Sequence, residues 1–249
     1  MASVSQGAVA RPLSPLTGRN GLIDRYFYFA MSVLIATIVV IGFSRTVNEH
    51  LFHAAPPRPV LLWIHGAAFS SWVLFYIFQS ALVRTHNVKI HRSLGWFGVG
   101  LAAFMVPLGL TVSVLMTRFD MRVLHATGIE TFLSIPFFDM IAFGTLVSFA
   151  IAWRKKPELH RRLLFIATCC LLDAAFGRFD FIFNHNLYFP CLDGIILLGV
   201  ARDLLVNGSI HKVYRVVLPP LWVAQALTVY LYAGSPAWWL HFTRSILGA

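Results

Sequence analysis

Charge is scarce in this chain, and acid is scarcest. Only 12% of its 249 residues are Asp, Glu, Lys or Arg, and just 10 are acidic. A soluble domain carries about 25% charged residues, so an ordinary soluble surface is excluded. Cysteine is also rare: Cys169, Cys170 and Cys191 are the only three, with no Cys-x-x-Cys and no zinc-ligand spacing. A disulfide framework has no support, and these thiols read as small packing residues. The chain has no Gly-x-Ser-x-Gly, no His-Glu-x-x-His and no phosphate-binding glycine-rich loop. Those gaps leave nucleophilic hydrolysis, zinc proteolysis and nucleotide binding without their usual sequence carriers.

What is present is apolar, at 58% of residues with 14% aromatic. That composition belongs to membrane proteins, whose aromatics gather at the lipid–water boundary. Seven long apolar runs follow one another, at about 23–44, 60–83, 94–116, 131–153, 163–183, 188–205 and 213–233. A spanning helix needs about 20 mostly apolar residues. The expected fold is all-α, a polytopic bundle of seven transmembrane helices over 22–234. Before it lies a disordered cytoplasmic tail at 1–21, rich in Ser, Gly, Pro and Ala. After it, 235–249 reads as an interfacial C-terminal tail with Trp238 and Trp239 as anchors. The fifth and sixth runs carry acidic residues and are separated only by Asn184, His185 and Asn186.

The formal net charge of +10 does not point to nucleic acid, because the bases sit in short loops and not on a folded basic face. They alternate by side. Arg25, Arg84, Lys89, Arg92, Arg154, Lys155, Lys156, Arg161, Arg162, Arg202, Lys212 and Arg215 share one side; Arg45, Arg58, Arg118, Arg122 and Arg244 hold the other. Excess Lys and Arg mark the cytoplasmic face. This places the N-terminus inside and the C-terminus outside, in the cytoplasmic (inner) membrane of a bacterium.

Three odd-numbered helices open with a His–basic pair on that face: His91-Arg92, His160-Arg161 and His211-Lys212. Cations oppose the positive end of a helix dipole, so something else favours them. Anionic lipid headgroups are the expected partner; convergence of the three histidines on one ligand is the alternative.

Polar groups inside the apolar runs are costly, about 2.5–3.5 kcal/mol for an ionised side chain at mid-membrane. His65, Phe69, Trp72, Tyr76 and Gln79 share one face of the second helix. In a continuous fifth helix, Asp173, Gly177, Asp180 and Asn184 form a small, polar stripe, with Arg178 roughly 140° from Asp173. Asp139 and Asp193 lie at compatible depths in the fourth and sixth. His65, Asp139, Asp173, Arg178, Asp180 and Asp193 are therefore the candidate site, a polar pocket in the outer half. Three readings compete: a structural ion cluster; a divalent-metal site using His65, Asp173 and Asp180; and a site that relays protons or binds a small polar or cationic ligand. Haem held by paired histidines is weighed beside them. The matching functions are binding or sensing of a small ligand, ion or proton; a metal- or haem-dependent membrane enzyme; or a structural subunit paired with a membrane protein partner.

Several short runs together resemble a known group. His65-Gly66 with Phe69 and Trp72, His91-Arg92 with Leu94-Gly95-Trp96, and His160-Arg161-Arg162-Leu163 are three of them. Ala201-Arg202-Asp203-Leu204-Leu205 with Gly208 and His211, and Gly234 with Pro236 and Trp238, complete the set. The pattern is similar to that of a family of bacterial multi-pass membrane proteins known only as a domain of unknown function. The resemblance implies the membrane architecture and carries no activity. In that family a Pro often follows the last cytoplasmic His, where this chain has Lys212.

Overall fold

The computed structural model describes residues 19–248, and every regular element in them is helical. Most of the expected tail, 1–18, lies outside the described residues. In chain order the helices are α1 (Arg19–Ser44), α2 (Val60–Arg84), α3 (Val88–Val123), α4 (Ser134–Ala152), α5 (Pro157–Cys169), α6 (Asp173–Phe176), α7 (Asp180–Asn184), α8 (Tyr188–Asn207), α9 (Lys212–Gly234) and α10 (Ala237–Leu247). Five are long and apolar enough to cross a membrane: α1, α2, α3, α4 with the 3-10 turn before it, and α9. They match the first four apolar runs and the seventh.

The fifth run is not one helix. It is broken between Cys169 and Asp173, and again where Phe179 adopts an extended conformation (φ −98°, ψ 116°). Asp173 opens a new helical turn, α6, where α5 would have continued. The polar stripe from Asp173 to Asn184 therefore does not exist as a single helix face. The sixth run does form a continuous 20-residue helix, α8, but it contains Asp193, Arg202 and Asp203.

The broken segment is the core of the bundle. Phe165, Ile166, Ala167, Cys169 and Cys170 have no exposed surface, and α5 is enclosed by α1, α4, α8 and α9. Irregular backbone at membrane depth is tolerated where protein surrounds it. α1 supports the break directly: a Cβ on Gly42 would lie 2.6 Å from the Ala175 carbonyl oxygen, so glycine permits the close approach. The outer helices turn apolar side chains outward, among them Val40, Leu74, Phe97, Ile141, Val216 and Val223. Such a belt suits lipid tails.

α3 has 36 residues, about 54 Å at 1.5 Å per residue. A hydrocarbon core is about 30 Å thick, so α3 reaches well beyond it. Its last turns build a cap. Arg118 donates to the carbonyls of Leu247 (3.1 Å) and Ile246, closing the end of α10. Trp239 is only 6% exposed and its indole N–H donates to the Thr131 carbonyl at 3.3 Å. The C-terminal segment is thus a packed helix. Trp238, 60% exposed, keeps an anchor's position, whereas Trp239 is buried against the turn before α4.

Candidate functional site

A cavity of about 350 Å³ opens at the end of the bundle that carries α10. Its deeper wall is apolar, from Gly109 and Val112 of α3, Pro136 of α4 and Phe132 before it, with Met116 and Tyr232. Its polar groups are His65, Ser113, Thr117 and Asp120. Asp120 is already engaged, in an ion pair with Arg58. Ser113 and Thr117 return their hydroxyls to the carbonyls of Leu110 and Ser113, at 2.8 and 2.9 Å. His65 is different. Its ring stacks on Phe69 (centroids 4.1 Å apart), one turn along α2, which fixes its plane. Its Nδ1 is buried and meets no partner among the described residues. An unsatisfied buried polar atom costs about 1–3 kcal/mol, and this one belongs to a residue that lines the cavity.

The other candidate residues are dispersed. Asp139 and Asp173 are buried and lie within hydrogen-bonding reach of each other. Asp193 of α8 accepts from the Gln225 side-chain amide of α9 at 3.1 Å. Arg178 donates to Thr46 Oγ1 at 2.8 Å and lies over the Phe43 ring, so it turns to α1 and neutralises no carboxylate. Asp180 is exposed at the start of α7. Among the described residues, no group of three or more His, Cys, Asp and Glu is placed to hold a metal ion. The break explains why His65, Asp173 and Asp180 do not gather: it gives Asp173 and Asp180 to separate short helices with different exposure.

The largest polar assembly is at the opposite end of the bundle. Arg162 of α5 makes a two-pronged contact with Asp203 of α8, at 2.8 and 2.6 Å, and all of it is buried. Arg202 donates to Asp203 at 2.6 Å and also to Asp24 of α1. Glu158 completes the set, accepting from Arg162 at 2.5 Å and from Arg161 at 2.6 Å. Three guanidiniums and three carboxylates thus join α1, α5 and α8. The positive-inside pattern hides this network among loop bases. The signal that reveals it is Arg202-Asp203, an opposite-charge pair inside an apolar run, with Arg162 as its complement.

The His–basic pairs part company as well. His160 is hydrogen-bonded through Nδ1 to the Ala150 carbonyl at 2.8 Å, with the His91 ring 6.4 Å away, centroid to centroid. His211 instead caps α9, its Nδ1 accepting from the Val213 N–H at 3.2 Å. Arg161 is occupied by Glu158 and by the face of Tyr28. Arg92 and Lys212 stand exposed. Compared with family models, with curated proteins and with solved structures, the chain matches none.

Proposed function

We propose that this is a multi-pass protein of the bacterial cytoplasmic membrane that binds a small, mainly apolar molecule in the cavity beside His65. The observation that carries the reading is a mainly apolar recess one of whose lining residues, His65, keeps a buried, unpartnered Nδ1. Ligand sites have this character: apolar walls, about 300–1,000 Å³ of space and a few placed polar groups that set orientation. The ligand that fits is an uncharged ring or short chain with one hydroxyl or carbonyl, because the charges at the mouth, Arg58 and Asp120, already neutralise each other.

The membrane arrangement belongs to the same proposal. Seven crossings result if α5 to α7 together make the fifth and α8 the sixth. The charges of these two segments support it, since Arg162, Arg202 and Asp203 are neutralised within the bundle. The Lys and Arg of the α4–α5 connection and the start of α9 support a cytoplasmic position for that end, with the cavity outside. Exposed Arg92 and Lys212 suit anionic headgroups there. The resemblance to a bacterial membrane family fits this reading.

Naphthol and naphthalene test the site. Naphthol is expected to raise the thermal midpoint of the purified protein more than naphthalene does. His65→Ala should remove that preference, and Ser113→Trp, which fills the recess, should remove both effects. Equal responses from the wild type and Ser113→Trp would place the binding elsewhere.

A further inference from the structure

Asp139 and Asp173 pose a charge problem. Asp139 comes from α4 and Asp173 opens α6; they are 6% and 4% exposed, and their carboxyls are within hydrogen-bonding reach. Ionised carboxyls only accept, so no hydrogen bond joins them without a proton. Two negative charges side by side, away from water, do not both persist uncompensated. The structure offers no basic side chain to compensate them. Neither residue takes part in any ion pair among the described residues. Arg178, five residues from Asp173, faces Thr46 and Phe43. One positive charge is missing.

Three independent features mark where it sits. Each aspartate leaves its Oδ1 buried and without a partner. The Tyr188 hydroxyl, on a residue only 2% exposed, also has no partner, and both aspartates are among its electrostatic neighbours. The break before α6 supplies backbone oxygens: no described backbone amide bonds to the Cys170 or Leu171 carbonyl. Interrupted helices inside membranes hold small cations in this manner, with unwound carbonyls beside an acidic group.

We infer that Asp139, Asp173 and Tyr188, at the break between α5 and α6, hold one monovalent cation, a proton or a sodium ion. Either leaves the pair with a single negative charge. Among the described residues no third His, Cys, Asp or Glu joins the pair to make a divalent-metal site. The ionisable groups around the site are Cys169 and Cys170 at the end of α5, Asp193 on α8 and Tyr232 on α9. None is basic, and Gly42 of α1 lies against Ala175 of α6. The site is separate from the cavity: neither aspartate lines it. Pro136, in the cavity wall, is one turn from Asp139 on α4.

The full-length protein, purified in mild detergent, tests this in two ways. Infrared difference spectra at neutral pH, in choline chloride without sodium, read the carbonyl stretch of a protonated carboxyl. Thermal midpoints in sodium against choline chloride, at equal ionic strength, read sodium binding. If a proton is held, the wild type shows the band, Asp139→Asn and Asp173→Asn lose or shift it, and sodium changes no midpoint. If sodium is held, the wild-type midpoint rises with sodium by about 3–6 °C at roughly tenfold excess over Kd. Both Asn variants then lose that rise. A wild type with no protonated-carboxyl band and no sodium response overturns the inference. So does a sodium response that survives unchanged in both variants. The wild-type spectrum decides even where a variant does not fold.

Discussion

Two buried charge clusters in this molecule handle the same physical problem in opposite ways. At the Arg162–Asp203 end, three guanidiniums meet three carboxylates through short, multiple hydrogen bonds, and the cluster is neutral within the protein. At the break, Asp139 and Asp173 meet each other and no cation. The first cluster is built to be closed and joins α1, α5 and α8. The second is incomplete without something the chain does not supply. Burial and acidity alone do not distinguish a structural cluster from a binding site; the balance of charge does.

Breaking the closed cluster has the largest expected effect. Asp203→Ala leaves buried Arg162 with Glu158 alone and buried Arg202 with Asp24 alone, and removing one partner of a buried pair costs about 3–5 kcal/mol. The expected outcome is loss of monodisperse protein on size exclusion in mild detergent. Asp139→Ala sharpens the contrast. It removes one of two competing acids and strands no basic side chain, so in sodium-free medium a cost of about 1 kcal/mol or less is expected, read as a thermal midpoint within about 2–4 °C of the wild type. Midpoints that fall equally for both variants would erase the distinction drawn here.

The smallest effect concerns the rim of the closed cluster. Burial, followed by the nearby Arg162 charge, holds His211 below the usual histidine value. Its cap on α9 needs a neutral ring, whose Nδ1 accepts from Val213. Because the folded value is lowered, this contribution is complete above about pH 6.5. It is lost as the pH falls from there towards the folded value. His211→Ala should cost about 0.5–1 kcal/mol at neutral pH and flatten the midpoint's fall between neutral and mildly acidic pH.

Hydropathy makes the outer helices legible. α1, α2, α4 and α9 begin and end close to the apolar runs, because lipid-facing segments must be apolar along their length. α3 overruns its apolar stretch to Val123, because its last turns pair with protein at the cap and need no lipid-like surface. The fifth run misleads for a physical reason. Apolarity reports burial in α5 and α6, which protein largely encloses, but burial by protein does not require a continuous helix. No Pro or Gly marks the first break, at Cys170 to Leu172; only Asp173, which opens the next helix, gives a hint. Of the candidate site, His65 was identifiable as an intramembrane imidazole on an aromatic face. Depth places Asp139 and Asp173 in one layer, but which of the six candidates meet was not legible, since the pair joins residues 34 positions apart. Trp239 reads as a membrane anchor until Thr131, distant in sequence, is seen to accept its N–H.

The broken fifth segment also has a consequence for biosynthesis. On the seven-crossing reading, α5 arrives at the membrane with Arg162 paired only to Glu158 at the helix start, and its buried acceptor Asp203 lies 41 residues further along. At about 5–20 residues per second, that interval is roughly 2–8 s. A 13-residue helix followed by Asp173, Arg178 and Asp180 is too short and too charged to settle alone in the hydrocarbon layer. The fifth and sixth segments therefore enter as one hairpin. A nascent chain stopped before Asp203 should leave its fifth segment outside the bilayer.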